Sequence, residues 1–240
     1  RGRGMGMTLE VCVDTAEGLA QAVAGGADRI ELCTALGLGG LTPSAGLIGL
    51  AARCGVPVVA MIRPRAGDFV WSSAEVGMME AEIAAVRAAG LAGVVLGANL
   101  PDGRLDVPVL RRLVAASTGM KLVLHRAIDL TPDMGAALEE AVGLGFQRIL
   151  TSGGATTAEA GAERIAALVR QAAGRITIMP GSGVNPGNVA LLKGLGIREF
   201  HASCSASTPI TGRVVEMGFA PPMRRQTDAD TVRALRRALQ

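Results

Sequence analysis

Leu9-Glu10-Val11-Cys12-Val13-Asp14 is a short stretch in which apolar and polar side chains alternate. The side chains of a β-strand point alternately to its two faces, so this stretch predicts a strand with two carboxylates and a thiol on one face. Ile30-Glu31-Leu32-Cys33 repeats the Glu-x-Cys pattern on the same parity. Two strands that each direct a carboxylate and a thiol to one side indicate a functional site.

Six further apolar segments follow, and a stretch with helical character comes after each of the eight predicted strands. The strands are predicted to end near residues 14, 33, 63, 97, 125, 152, 181 and 203. This repeat is typical of a closed (β/α)8 barrel. An open doubly wound sheet is the alternative, but the count of eight and the lack of GxGxxG after the first strand favour the barrel. We expect an α/β protein with one TIM-barrel domain over residues 9–240.

The composition of the chain argues against several classes of protein. Apolar residues make up 49% of the 240 residues, and 24 basic residues nearly balance 21 acidic ones, without a basic stripe suited to nucleic acid. No apolar run reaches the length of a membrane span. Four cysteines without a secretory signal predict reduced thiols. We expect a soluble cytoplasmic protein, in which residues 1–8 are a disordered leader or tag remnant.

Two local signals predict where helices begin. Ser72-x-x-Glu75 is a capping box that predicts the start of a long helix ending near Gly90. Asn185-Pro186 predicts the N-cap and first turn of a helix that runs to Leu195.

Polar side chains collect at the predicted C-terminal ends of the strands, where (β/α)8 barrels carry their active sites. The chain has only two histidines, and both end a predicted strand. Carboxylates in a barrel need partners, because a lone buried charge is strongly unfavourable. We expect a catalytic acid–base set in which an arginine holds an anionic substrate. Its members are Glu10, Glu31, Arg63, His125 and His201.

The same residues also allow a purely structural interpretation. Each histidine would then form hydrogen bonds within the barrel, and Arg63 would pair with Glu10 or Glu31 in an ion network. Arg126 follows His125 directly, so one of the two must point away from the barrel interior if the strand stays regular.

Cys12 and Cys33 are predicted on neighbouring strands at nearly matching depth. Parallel strands lie about 4.8 Å apart, so two thiolates there could bind one soft monovalent metal ion, with Met61 adding a thioether. The alternative is that both are small buried apolar residues, as free cysteines usually are. Their spacing fits no zinc pattern.

Two glycine-rich turns follow the sixth and seventh strands, Ser152-Gly153-Gly154 and Gly181-Ser182-Gly183. Glycine lets backbone N–H groups converge on an anion, and barrels bind phosphate near this position. The alternative is a tight turn that needs glycine for its backbone alone. The only lysines, Lys121 and Lys193, lie away from the predicted strand ends, which disfavours Schiff-base chemistry.

Several segments closely resemble the CutC family over Leu9 to about Ser205: LEVCVDT, GGADRIELC, GGLTPSAGLI, MIRPRAGDF, HRAID and RILTSGGA. The resemblance implies a TIM barrel, an intracellular role linked to copper homeostasis, and a homodimer or higher homo-oligomer. It implies Cys12 and Cys33 as copper(I) ligands and no organic cofactor. Arg65 and Arg126 would share the pocket of the acid–base set and bind substrate. The segment after Ser205 is less similar to the family.

Two functions follow from these residues. The first is copper(I) binding by the cysteine pair in copper homeostasis. The second is a metal-independent isomerase or lyase that acts on a small anionic or phosphorylated metabolite, with the two glycine-rich turns binding the anion. A catalytically silent barrel used for interactions fits the polar strand ends poorly.

Overall fold

The centre of the fold is a barrel of eight parallel strands, in a computed structural model that describes residues 6–240. Each strand pairs with the next along the chain from β1 to β7, β1 also pairs with β8, and β7 lies beside β8. The (β/α)8 prediction is confirmed. The strands are β1 (Thr8–Val13), β2 (Arg29–Leu32), β3 (Val58–Met61), β4 (Gly93–Leu96), β5 (Lys121–Leu124), β6 (Arg148–Thr151), β7 (Thr177–Pro180) and β8 (Glu199–Ala202).

Helices surround the strands. They are α1 (Ala16–Gly25), α2 (Ala45–Ala51), α3 (Ser73–Ala88), α4 (Val107–Ala116), α5 (Met134–Leu144), α6 (Ala162–Ala172), α7 (Val189–Lys193), α8 (Arg213–Glu216) and α9 (Ala229–Leu239). Short 3-10 turns at Leu36–Leu38 and Arg126–Leu130 follow β2 and β5. Among the described residues, no helix is long and apolar enough to cross a membrane.

Apolar side chains form two separate cores. Leu9, Val11 and Val13 belong to the large core between the strands and the helices, as the alternation along β1 predicts. The smaller core fills the barrel interior and consists of Cys33, Val59, Met61, Val95, Val123, Leu150 and Met179. These few interior side chains come mainly from β2 to β7. The remaining interior space is therefore available to polar groups from β1, β2 and β8.

The helix predicted from Asn185-Pro186 begins later than expected. Its first residue is Val189, because Asn185 and Asn188 use their side chains in a local turn. The Asn185 side chain accepts the Gly187 N–H at 2.8 Å, and the Asn188 side chain accepts the Asn185 N–H at 3.0 Å. Side chains of this type compete with helix formation by offering the backbone other acceptors.

An antiparallel hairpin between β8 and α9 was not predicted. It consists of β9 (Ser205–Pro209) and β10 (Met223–Thr227), with α8 between them. Both strands are mainly polar and largely exposed, so they lack the apolar alternation that identifies a strand. Their pairing places Arg225 opposite Ser207, at the rim of the barrel.

The start of the barrel differs slightly from the prediction. Thr8 already belongs to β1, and its N–H donates to the Arg198 carbonyl at 2.9 Å. Residues 1–5 of the predicted leader lie outside the described residues, so their disorder stays a prediction.

Replacing Ser72 by Ala is expected to destabilise the protein by about 1 kcal/mol, because the predicted capping box is present at the start of α3. The Ser72 hydroxyl accepts the Glu75 N–H at 3.2 Å, and Glu75 accepts the Ser72 N–H at 2.7 Å. Denaturant unfolding measures the change. Ser73→Ala removes a neighbouring exposed hydroxyl and should change the free energy of unfolding by less than about 0.5 kcal/mol. Equal effects of the two substitutions would contradict the capping role.

Candidate functional site

A cavity of about 490 Å³ opens at the C-terminal ends of the barrel strands. Several predicted site residues line it: Cys12, Glu31, Arg63, His125, Arg126, Gly181, Ser182, Gly183 and His201. The others do not line it: Glu10, Cys33, Arg65, Ser152, Gly153 and Gly154. The structure thus brings much of the predicted set to one cavity and places the rest behind or beside it.

A hydrogen-bonded group of buried side chains forms one side of the cavity floor. His201 lies opposite Glu10 in the register of β8 and β1. Its Nδ1 lies 2.8 Å from a Glu10 carboxylate oxygen, and its Nε2 lies 3.7 Å from Glu31 Oε2. The imidazole therefore stands between two carboxylates, with Glu10 fixing its orientation.

Arg29 is the charged partner of Glu10. Arg29 Nε donates to Glu10, and Arg29 Nη2 donates to Glu199 at 2.6 Å. Glu199 also accepts from Arg148 Nε at 2.6 Å. Arg29 did not enter the predicted set, although it shares the parity of Glu31 and Cys33 along β2 and so could have been found.

The two carboxylates differ in acidity. Burial opposes ionisation of Glu10, but the hydrogen bond from His201 and the charge of Arg29 prevail and lower its pKa to about 2. Burial raises the pKa of Glu31, and the neighbouring charge of Glu10 adds to this effect. Among the described residues, Glu31 Oε1 is buried without a hydrogen-bond partner. Glu10 is therefore a fixed anion, whereas Glu31 binds a proton more readily.

His201 is held as a cation. Burial on its own would lower the pKa of the imidazole, but the charge of Glu31, the contact with Cys12 and the hydrogen bond to Glu10 raise it well above its ordinary value. A protonated imidazole next to an ionised Glu10 is the arrangement that these contacts favour.

Cys12 and Cys33 are not at matching depth, and that expectation is wrong. The register aligns Cys12 with Glu31, and Cys33 follows two residues later on β2. Ligand atoms of Cys12, Glu31 and His201 all lie within 4.8 Å of one another, and Cys33 is not a member of this group. The Cys33 thiol donates to Glu31 at 3.5 Å, and burial raises its pKa well above the ordinary value.

Arg63 does not pair with Glu10 or Glu31, which corrects the predicted ion network. β3 ends at Met61, so Arg63 reaches into the loops above the barrel and donates to three carbonyl groups. These belong to Leu38 at 2.8 Å, Gly40 at 3.1 Å and Gly67 at 2.8 Å. Its Nε is buried and has no partner among the described residues.

His125 and Arg126 both line the cavity, although a regular strand would have separated them. β5 ends at Leu124, and the following 3-10 turn rotates Arg126 back toward the mouth. His125 Nδ1 accepts the Ala127 N–H at 3.1 Å, and burial together with the charge of Arg63 lowers the pKa of His125 to about 3. His125 is therefore neutral and carries its hydrogen on Nε2.

The glycine-rich turn after β6 binds a carboxylate of the chain itself. The N–H groups of Ser152 and Gly154 donate to Asp129 at 3.1 and 3.0 Å, and Arg126 pairs with Asp129 at 2.7 Å. Gly153 N–H donates to the Thr151 hydroxyl at 2.9 Å. These amides are therefore used internally. The turn after β7 does line the cavity, and Ser182 there has a positive φ of 73°.

Arg65 lies outside the cavity. It pairs with Asp68 at 3.0 Å and Glu75 at 2.5 Å, and its guanidinium lies 4.9 Å from the centre of the Trp71 ring. These contacts hold the loop that precedes α3.

Comparison with known proteins agrees with this architecture. The model of the CutC family matches residues 7–206. The chain belongs to the CutC family. It is 57% identical over 235 residues to the protein CutC of Rhizobium meliloti, covering 97% of this chain and 96% of that protein. The protein CutC of Sinorhizobium medicae is 58% identical over 233 residues, covering 96% and 95%.

A solved structure of the family has the same fold. The CutC protein of Streptococcus agalactiae, which is named for copper homeostasis, is 32% identical with a TM-score of 0.79. The match covers 82% of this chain and 98% of that one. The match of the family model ends at residue 206, in agreement with the resemblance over Leu9 to about Ser205.

Glu10→Gln is expected to lower stability in a pH-dependent manner. The pKa of Glu10 falls from an ordinary value of 4.5 to about 2 on folding, so ionised Glu10 stabilises the protein by about 3 kcal/mol above pH 4.5. This contribution is lost as the pH falls from 4.5 toward 2. Denaturant unfolding at pH 7, 5 and 3 measures the difference between variant and wild type. Glu140→Gln, at an exposed position, is the control. A difference that stays constant over this pH range would contradict the ion pairing of Glu10.

Proposed function

We propose that this protein acts in copper homeostasis and binds copper(I) at the floor of the barrel mouth. The observation that supports the proposal is the group of Cys12, Glu31 and His201, whose ligand atoms lie within 4.8 Å of one another. Thiolate is a soft ligand that selects copper(I), and imidazole binds copper as well. The name of the Streptococcus agalactiae relative points to the same role.

Cys12 and His201 are the proposed principal ligands. Glu10 faces His201 Nδ1 at 2.8 Å, so Nε2 is the ring nitrogen free to bind a metal ion. A carboxylate that holds the other nitrogen of a ligating histidine orients the ring and raises its basicity. The family resemblance implies Cys33 as the second thiolate ligand. We propose instead that it supports the site from outside, because its thiol donates to Glu31 at 3.5 Å. Binding displaces the proton of His201, so copper affinity should rise with pH.

Copper(I) titration of the reduced protein against a chelator of known affinity tests this proposal. Cys12→Ser and His201→Asn are each expected to weaken binding by about a hundredfold, since even residues that only orient ligands contribute about 10- to 100-fold. Cys33→Ser should have the smaller effect. Cys54→Ser is the matched control, because Cys54 lies outside the cavity.

Two outcomes would contradict copper(I) binding at this site. One is a Cys12→Ala/Cys33→Ala double variant that binds copper(I) as tightly as the wild type. The other is displacement of copper(I) by equimolar zinc, since a Cys, His and carboxylate set also suits zinc.

A second candidate function is a metal-independent isomerase or lyase that acts on a small anionic or phosphorylated metabolite. The observation that favours it is the size and lining of the cavity, because about 490 Å³ is far more than one ion needs. Glu31 and His201 lie at its floor as candidate proton donors and acceptors. Arg63 and Arg126 line its walls as candidate anion-binding groups.

NMR of small organic acids and phosphate esters, incubated with protein and a metal chelator, tests the second function. We expect the wild type to convert at least one compound and Glu31→Gln to convert none, because Glu31 is the one carboxylate among the described residues that line the cavity. Glu140→Gln should retain full activity. Equal conversion by Glu31→Gln and the wild type would contradict the proposed role.

We also propose that the protein works in the cytoplasm as a homodimer or higher oligomer. All four cysteines are free, which suits a reducing compartment. The segment that joins β9 and β10 exposes Val214, Met217 and Phe219, the last with 81% of its surface accessible. Exposed apolar side chains grouped in this way are typical of protein–protein contacts.

A further inference from the structure

The charge of the cavity lining is unbalanced. Among the described residues that line it, Glu31 is the only carboxylate, whereas Arg63, Arg126 and Arg225 are basic. His201 also lines it, but Glu10 compensates its charge at 2.8 Å. Asp129 compensates Arg126 through an ion pair of 2.7 Å. Arg225 donates to the Ser205 hydroxyl at 3.2 Å and, among residues 6–240, pairs with no carboxylate. The cavity therefore favours an anion.

Of these cations, Arg63 has the strongest need for a negatively charged partner. Its side chain is buried, with 6% of the residue exposed, and its hydrogen-bond acceptors in the described structure are three uncharged carbonyl groups. A buried charge without an opposite charge is unfavourable, and a bound anion would compensate it. Burial lowers the pKa of Arg63, and the charge of Arg65, which is also a cation, lowers it further.

Unsatisfied polar atoms point to the same cavity. Within the described part of the chain, four buried side-chain nitrogen or oxygen atoms have no hydrogen-bond partner. Three belong to residues that line the cavity, namely Arg63 Nε, His125 Nε2 and Glu31 Oε1. Buried polar groups nearly always have hydrogen-bond partners, so three unpaired atoms around one cavity indicate that a ligand binds there. Arg63 Nε and His125 Nε2 both carry hydrogens, and they require acceptor oxygens.

Phe69 packs against both side chains that carry these donors. Its ring centre lies 4.6 Å from that of His125 and 5.0 Å from the Arg63 guanidinium carbon. Phe69 is itself half-buried and lines the cavity. A displacement of this one ring would remove a contact from both side chains at once. Trp71 is a reporter of that movement, because it is the only tryptophan and its ring centre lies 6.3 Å from that of Phe69.

We infer that the barrel mouth binds a small organic anion, a carboxylate or a phosphate ester, whose charged group pairs with Arg63 and accepts the Nε2–H of His125 once Phe69 moves aside. This inference rests on the second proposed function for the idea that the cavity takes a metabolite. It adds His125 to Arg63 as a group that recognises the anion, and it adds the movement of Phe69. Arg63 and His125 are not members of the Cys12–Glu31–His201 group, so the anion would be recognised by residues other than the proposed copper ligands.

Titration followed by Trp71 fluorescence tests the inference, with two pairs of probes that each consist of an anion and a related neutral compound. Succinate is compared with the neutral succinamide, and glycerol 2-phosphate is compared with glycerol. We expect saturable binding of at least one anion and of neither neutral compound. The anion that binds identifies carboxylate or phosphate as the recognised group.

Three variants locate the site. Arg63→Gln should weaken binding of the anion by about 10- to 100-fold, the usual worth of a hydrogen bond to a charged group. His125→Asn should weaken it by about tenfold, because Asn can still accept the Ala127 N–H but has no equivalent of Nε2–H. Arg111→Gln, an exposed arginine on α4, removes the same charge outside the cavity and should leave affinity unchanged.

The outcomes separate this inference from the proposed functions. Saturable binding of an anion that is lost in Arg63→Gln or His125→Asn supports it, with or without turnover and with copper(I) affinity unchanged. If Arg63→Gln does not fold, His125→Asn decides. The inference is overturned if neither anion saturates, if the neutral analogues bind equally well, or if both cavity variants match Arg111→Gln.

Discussion

The ion pair between Arg29 and Glu10 is the constraint on which the rest of the site depends. Arg29 pairs with both Glu10 and Glu199. Glu199 also pairs with Arg148, and Glu10 also pairs with His201. Charges of alternating sign therefore extend through the barrel interior. Each of these groups would be unfavourable in the interior without its neighbours, since burial of an unpaired charge costs several kcal/mol. Their mutual compensation allows a polar floor beneath the cavity.

The cavity has two sides with different chemistry. On the side of β8, β1 and β2, Cys12, Glu31 and His201 are close enough to share one ion or to exchange protons. On the side of β3 and β5, Arg63 and His125 offer hydrogen-bond donors and positive charge beneath Phe69. A metal ion and an organic anion would therefore use different walls of the same cavity.

The sequence predicts the fold well because the barrel is encoded by local patterns. The alternation in β1 predicts which side chains face the helices, and the repeat of eight strands predicts the barrel. Strand pairing is harder, because periodicity assigns a face but not a register, and the register depends on the stagger of the whole barrel. Cys12 was therefore matched with Cys33 instead of Glu31. His125 and Arg126 were separated because a regular strand was assumed beyond Leu124.

Other site residues were missed for a different reason. Arg29 lies at the start of β2. The site was predicted from the C-terminal ends of the strands, and these carry only the residues at the mouth of the barrel. Asp129 lies in the 3-10 turn after β5, and its contact with Ser152 and Gly154 joins segments that no local pattern connects. The β9–β10 hairpin was missed because its strands are polar and each pairs with a strand on the far side of the segment that contains α8.

That hairpin has a consequence for how the family can diversify. Arg225 belongs to the rim of the cavity, yet it lies beyond residue 206, where the match to the family model ends. The floor is made from the strands of the barrel, whose side chains are constrained by one another. Part of the rim comes from the exposed β9–β10 hairpin, whose strands pair with each other and not with the barrel sheet. The residues of the cavity floor and those of this part of its rim can therefore vary separately in this architecture.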